Sequence, residues 1–531
     1  MKPDFDVIIV GSGPAGVSAA FPLVHAGLRV VMVDGGKSAK VKPPSGPFLR
    51  ERSEGSAQWK WMVGDDFHAL RKIDALSPKL RAPTLGFVFD DFIATNRIKT
   101  NNFVAVGSLS TGGLSNAWGC GVARLSAKEL SEFPFPVSDI ERSYEAVTRR
   151  IGVSGASSDD LSDYFGLDAW SQTPIQMDAL HRRVFERYSL RRSDMASIGF
   201  RLGRSRVAVL SNDHGGRKAC DLSGNCLWGC HRGALYSSAD ELASLIKHEN
   251  FYFRSGFVVD RIASHGECVS VEGQSGLERL TVTAKKLVLA AGTLASTRLA
   301  LLALKLDTPI QLQSCPTAAF LLWLPKMLGV PRVNGFGLGQ LSFTLKLTDD
   351  ISAFGSTFST VGIPVAEFVR HLPLGKRYGI DLVRHLFSSC LVGNMFLPGH
   401  LSTTKVSLSA EGELVINGGH SERVSGLMSD ASSRLRKSYW PLGAVLLPMS
   451  FTIGRPGADI HYSGTLPMRK KPILGETDAQ GELAGLVGVH VVDGACLPTL
   501  SEKSHTLTIM ANADRIGREL AMQMKENRID E

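Results

Sequence analysis

Residues 5–10 (Phe-Asp-Val-Ile-Ile-Val) are almost continuously apolar and β-branched, the pattern of a strand covered on both faces in a parallel sheet. The run stops at Gly11-Ser-Gly13-Pro14-Ala15-Gly16. A helix is predicted from Pro14 to about Ala26, closed by Gly27, and a second strand over 29–33 that runs into Asp34-Gly35-Gly36. Residues 37–100 are irregular and rich in Pro and Lys, and 138–151 predict a helix with Ser138 as N-cap. Residues 251–300 predict three strands, the last ending in Ala291-Gly292-Thr293 before a helix from Ala295. Alternation of apolar with small or polar positions over 335–348, and again over 403–417, predicts half-exposed antiparallel strands. Between them, 362–398 is apolar with spaced cations (Arg370, His371, Lys376, Arg377, Arg384, His385), which suits a basic amphipathic helical pair: core-packing helices first, otherwise a lid or a membrane-surface contact. Near the end, a buried strand is predicted up to Asp493 and a helix from near His505.

With 531 residues, 44% of them hydrophobic, the chain can bury two or more cores. The net charge of +8 favours anionic neighbours, but no nucleic-acid motif accompanies it and that function is rejected. The longest membrane candidate, Thr317 to Leu324, is stopped by Pro325 and Lys326, far short of the roughly 20 residues a span needs. The N-terminus shows no charged leader or cleavage site, so a cytoplasmic protein is expected. The eight cysteines are expected as thiols. Cys220, Cys226, Cys230 and His231 invite a metal reading, yet their spacing fits neither a zinc ribbon nor a ferredoxin, and no metal is expected. Eight arginines between Arg182 and Arg206 read as a solvated basic helix face rather than an anion site.

The chemistry starts at the glycine turn. Gly11 makes the tight turn, Gly13 lets backbone approach a pyrophosphate, and Gly16 allows close helix–strand packing. The helix start at Pro14 and Ala15 offers amides and positive dipole to phosphate. Asp34, about 20 residues on, is placed to accept from a ribose, so a dinucleotide site is expected. Small residues dominate Gly107 to Gly119, including Gly112, Gly113, Ser115 and Asn116 ahead of Trp118, so that backbone can lie against a flat ring. Asp493-Gly494 ends a strand where a carboxylate could reach a sugar hydroxyl of the cofactor.

Together these segments resemble the glucose-methanol-choline (GMC) oxidoreductases. The fingerprint, Gly112-Gly113-x-Ser115-x-x-Trp118, Ala291-Gly292-Thr293, His461-x-x-Gly-Thr-x-x-Met468 and Val-Val-Asp493-Gly494 occur in the family's order and span nearly the whole chain. Phe133-Pro-Phe-Pro136 and Cys226-x-x-Gly-Cys230 look closest to the pyranose oxidase, bacterial sugar dehydrogenase and long-chain alcohol oxidase branch. The resemblance implies an α/β fold: a doubly wound FAD domain over 1–305, with insertions at 41–94 and 151–214, a substrate domain on an antiparallel sheet over 306–454, and a return to the FAD domain over 455–531. It implies oxidation of a sugar, glycoside or other secondary alcohol to a carbonyl, with His461 taking the hydroxyl proton and hydride passing to the flavin. The second polar partner falls on Ser504 by counting from the closing helix, or on His505 by matching Ser-His-x-x-Thr-Ile; His505 transfers protons better. Further cofactor contacts are implied at Val259, Gly35, Gly119 and Thr506. Ala117 stands where a flavin-linking histidine occurs in pyranose oxidases, so FAD is expected without a covalent bond. The electron acceptor stays open among oxygen, a quinone and a partner protein. A non-redox lyase or decarboxylase of the same fold, and a membrane-peripheral oxidase of a hydrophobic alcohol touching lipid through 362–398, are the alternatives.

Overall fold

The computed structural model describes residues 3–70, 76–364 and 375–530 of the chain. Its first sheet is built on the strand Phe5–Val10, which pairs in parallel with Val30–Asp34 on one side and Glu278–Leu289 on the other. Val7, Ile8 and Ile9 are fully buried, which the unbroken apolar run requires of a strand covered on both faces. Phe251–Ser255 extends the parallel part beyond Val30–Asp34, and Val489–Val491 joins it beside the end of Glu278–Leu289. Where three strands are predicted over 251–300, four form, because Gly256 turns the chain at φ +77° between Phe251–Ser255 and Phe257–Ser264. Phe257–Ser264, Val269–Ser275 and Glu278–Leu289 then make an antiparallel meander.

The helix Pro14–His25 covers this sheet and packs against the long C-terminal helix Thr506–Asp530. The helix Val137–Ile151 also packs against the C-terminal one, and its Arg150 reaches Ser18 of Pro14–His25 at 3.1 Å. It is entered through Pro136 in extended conformation rather than capped by Ser138, whose hydroxyl instead meets Asp139 at 3.1 Å. Proline's fixed φ already sets the entry, so no side-chain cap is formed.

The second large sheet is antiparallel and runs in the order Val445–Leu446, Thr317–Trp323, Cys390–Phe396, Ser352–Ser359, Gly339–Lys346, Phe200–Arg204. The best membrane candidate of the sequence, Thr317 to Leu324, is thus a sheet strand, and no described helix is long and apolar enough to cross a membrane. Of the helical pair predicted over 362–398, Arg370 and His371 lie outside the described residues. One helix, Lys376–Leu386, is present, while Cys390–Phe396 is a central strand paired on both edges. Its short run of mixed polarity carries little strand propensity of its own, and pairing decides its conformation. The alternation at 403–417 belongs to a hairpin, Lys405–Leu408 with Leu414–Asn417, in a four-stranded sheet with Ile98–Asn101 and Ile310–Gln311.

The arginine run is not simply a solvated face. Arg206 is fully buried, with Asp159 at 3.0 Å and Asp168 at 2.6 Å, and Arg201 pairs with Asp163. Its anions are the chain's own aspartates at 159–168, an arrangement invisible to a reading of the arginines alone.

Candidate active site

Between the two large sheets lies a cavity of about 480 Å³. One wall is the fingerprint. Gly11, at φ +101°, turns tightly enough that a Cβ there would sit 2.4 Å from Ala290 O. A Cβ on Gly16 would meet Gly11 O at 2.0 Å, whereas one on Gly13 would meet nothing within 4 Å, so Gly13 faces open space at the helix start. The positive end of Pro14–His25 and this uncovered backbone fit a pyrophosphate. Asp34 accepts from Ser12 N–H at 3.1 Å, Ser12 Oγ at 2.7 Å and Gly36 N–H at 2.8 Å. Ser12 Oγ in turn accepts the Gly112 N–H at 2.9 Å, tying the first turn to the Gly107–Gly119 loop. Ser12, a spacer in the glycine motif, is thus the hydrogen-bonded link between Asp34 and the loop.

Gly13, Pro14, Ala15, Gly113, Ser115, Trp118, Gly119, Ala291, Gly292, Gly494, Ser504 and Thr506 line this cavity with Asp34, Asp493 and both candidate histidines. Gly35 and Val259 meet Asp34 and Ala291 in a smaller pocket of about 60 Å³ beside it, a place for the far end of a dinucleotide. Gly16, Gly112 and Asn116 line neither pocket. Asn116 spends its amide on Thr111 O at 2.8 Å and accepts from Ser237 Oγ at 2.7 Å, and Ser115 Oγ accepts the Ser238 N–H at 3.0 Å. These side chains shape the loop. Asp493, buried, takes the Gly292 N–H at 2.9 Å and the Ala495 N–H at 3.0 Å, clamping two turns together; burial pushes its pKa up to about 6.

The catalytic candidates come together at the far wall. His461 and His505 stack edge to face with ring centroids 4.9 Å apart, and Phe396 lies 4.9 Å from the His461 ring. Burial alone pushes His461 down to about 4. Burial and the neighbouring His461 push His505 well below the ordinary histidine range. Both rings are therefore neutral at pH 7 and offer lone pairs. Ser504 lines the same wall without an imidazole's basicity.

Lys79 is a wall residue that its sequence context did not signal. It is buried, donates to Trp118 O at 2.6 Å, and burial lowers its pKa. Beneath the histidines the second sheet lays out rows set by register: Phe354 opposite Phe396, and Ser342, Ser356 and Asn394 in the next row. Ser342 and Ser356 share a hydrogen bond of 2.9 Å. Cys220, Cys226 and Cys230 pack against the main core as thiols, with Cys226 Sγ accepting the Gly337 N–H at 3.4 Å.

A family model described as GMC oxidoreductase matches residues 455–513, which hold the His461 and Asp493 boxes and His505. This match supports the GMC oxidoreductase family for the chain. A second model, described as pyridine nucleotide-disulphide oxidoreductase, matches residues 5–75, which hold the glycine fingerprint. Among curated relatives, the 6'''-hydroxyparomomycin C oxidase of Streptomyces lividus is 24% identical, covering 99% of the chain and 92% of that protein. The paromamine 6'-oxidase of Streptomyces fradiae is 23% identical, covering 97% of the chain and 91% of its own length. The crystal structure of pyridoxine 4-oxidase from Mesorbium loti shares the fold, with a TM-score of 0.61 and 15% identity over 97% of this chain and 99% of that one. The chain is an oxidoreductase, and the two matched models imply a flavin cofactor.

Proposed function

We propose that this GMC oxidoreductase oxidises a CH–OH group of a sugar or glycoside to a carbonyl, with FAD held non-covalently and His461 as proton acceptor. The observation that carries the reading is a pair of buried imidazoles, His461 and His505, set 4.9 Å apart in the cavity that also holds the glycine fingerprint. Bound flavin supplies a hydride acceptor. The protein's share is proton handling and orientation. His461 offers a lone pair to the substrate hydroxyl and takes its proton. His505 cannot carry a second positive charge so close by, so it stays neutral and orients the hydroxyl through a hydrogen bond. Ser504 contributes at most an orienting hydroxyl.

Two observations support a sugar or glycoside. Phe354 and Phe396 offer aromatic faces to C–H edges, and Ser342, Ser356 and Asn394 place polar groups beside them. The curated relatives named above are, by name, oxidases of 6'''-hydroxyparomomycin C and of paromamine. Ala117 supports a non-covalent flavin, because alanine has no atom to form a link.

His461→Ala should slow anaerobic flavin reduction at least 100-fold, the usual share of a general base, while the protein stays yellow. Fast reduction in that variant would overturn the assignment. A panel of sugars, glycosides and long-chain alcohols, followed by air or a quinone, sorts substrate and acceptor. Acid precipitation should leave the FAD in the supernatant; a yellow pellet would refute the non-covalent reading.

A further inference from the structure

The strand pair Gln313–Ser314 with Tyr462–Ser463 sets Ser314 opposite Tyr462, so Cys315 falls across from His461. Asp459 closes the corner. Its Oδ2 accepts the Cys315 N–H at 2.6 Å, and donor atoms of Cys315, Asp459 and His461 all lie within 4.8 Å of one another. The turn that brings Asp459 back is held by Ile460 N–H to Gly457 O at 3.1 Å, with Ile460 at φ +61°. A β-branched residue in that conformation is strained and persists only where its surroundings fix it. Asp459 Oδ1 and His461 Nδ1 are both buried without a hydrogen-bond partner.

We propose that Asp459 is a positioning residue for the oxidation: its carboxylate fixes the tautomer of His461 and offsets the charge of the imidazolium that forms. This rests on the reading of His461 as proton acceptor. In that step the substrate O–H bond breaks and an N–H bond forms on His461, the C–H electron pair leaves as hydride to the flavin, and the carbonyl forms. One positive charge is then left on a buried ring.

The other titratable groups facing this point are Cys315, His505, Glu502 and Tyr462, and none supplies an anion as directly; burial and Asp459 hold the Tyr462 phenol protonated, donating to Val104 O at 2.6 Å. Burial holds the Cys315 thiol far up, with Asp459 and Glu502 adding to it. His505 is neutral. Glu502 is pushed up to about 7 by burial and accepts from Tyr164 OH at 3.3 Å, while the adjacent Lys503 is spent on Glu129 at 2.8 Å. Burial pushes Asp459 up to about 8 and His461 down to about 4, so the two together hold one proton at neutral pH. Losing that proton leaves the carboxylate beside a ring ready to accept, and reduction should speed up as pH rises through about 8.

The test uses the flavin-loaded enzyme. The ring resonance of His461, assigned by its loss in His461→Ala, should show a transition near pH 8 that disappears in Asp459→Asn. Anaerobic flavin reduction at pH 9 should fall at least 50-fold in Asp459→Asn with substrate affinity changed less than threefold, and its rising limb should vanish. Asp459→Glu should restore both in part. Should Asp459→Asn fail to fold, the resonance in unmodified enzyme still decides: no transition between pH 7 and 9 overturns the proposal. So does an Asp459→Asn enzyme that keeps its limb and its rate. If His461→Ala itself reduces flavin quickly, the functional reading has failed; if only Asp459→Asn is silent, the failure is confined to Asp459.

Discussion

Burial lifts three carboxyls around the cavity above their ordinary range: Asp459 to about 8, Glu502 to about 7 and Asp493 to about 6. The native state therefore keeps protons that the unfolded chain releases, and stability falls as pH rises through these values. The two cavity histidines act oppositely, since their lowered pKa values make stability rise with pH, but only below about 6.5, where the unfolded ring still binds a proton. Above pH 6.5 the Asp459 contribution is isolated by comparison. From pH 6.5 to 8 the unmodified protein should lose roughly 1.1 kcal/mol per pH unit more than Asp459→Asn, the full slope of a protonated group halving at its folded pKa, measured as denaturant midpoints of the flavin-free forms. Equal slopes would show that the carboxyl is already ionised at neutral pH. At this scale the sequence was uneven. The place of His461 in the cavity was legible because the Gly-Thr-x-x-Met pattern after it is specific. Asp459 and Lys79 were not, because only the tertiary fold puts them on the cavity wall.

An element was legible wherever its pattern and its surroundings agree. The Phe5–Val10 strand, the glycine turn and Pro14–His25 form as predicted, since an apolar strand and a glycine-dependent crossing leave few alternatives. Cys390–Phe396 escaped because both its edges are paired, and pairing overrides weak propensity. The fingerprint also separates fold from ligand in a single turn. Gly16→Ala places a Cβ 2.0 Å from Gly11 O and must push the helix off the strand, so folded yield and flavin content should both drop. Gly13 has ordinary extended dihedrals, φ −65° and ψ 178°, and open space before it. Gly13→Ala should melt within about 1 kcal/mol of the parent without flavin, yet hold flavin at least tenfold more weakly. Unchanged flavin affinity in Gly13→Ala would mean that no phosphate approaches this backbone.

Across the whole molecule, the two ends of the chain build one site. Pro14–His25 starts at one wall of the cavity, and Thr506–Asp530 follows directly on His505 at another. The helices touch where Gly517 meets Ala19 and Pro22: a Cβ on Gly517 would lie 2.6 Å from Ala19 O and 2.8 Å from the Pro22 ring. Gly517 lies about 18 Å along the helix from His505 at 1.5 Å per residue. A side chain there should cost about 1–3 kcal/mol through overpacking. Because the helix moves as a rod, His505 should shift against His461. Gly426, in the exposed face of Arg423–Tyr439, has nothing within 4 Å of its built Cβ. The same change there should stabilise by about 0.5–1 kcal/mol, since alanine costs less backbone entropy in a helix. Gly517→Ala and Gly426→Ala thus make one chemical change in two helices with opposite expected signs. Denaturant midpoints read the stability, and anaerobic flavin reduction reads the site. If Gly517→Ala lowers the midpoint but leaves reduction unchanged, the helix contact holds the fold together without setting the distance between the two histidines.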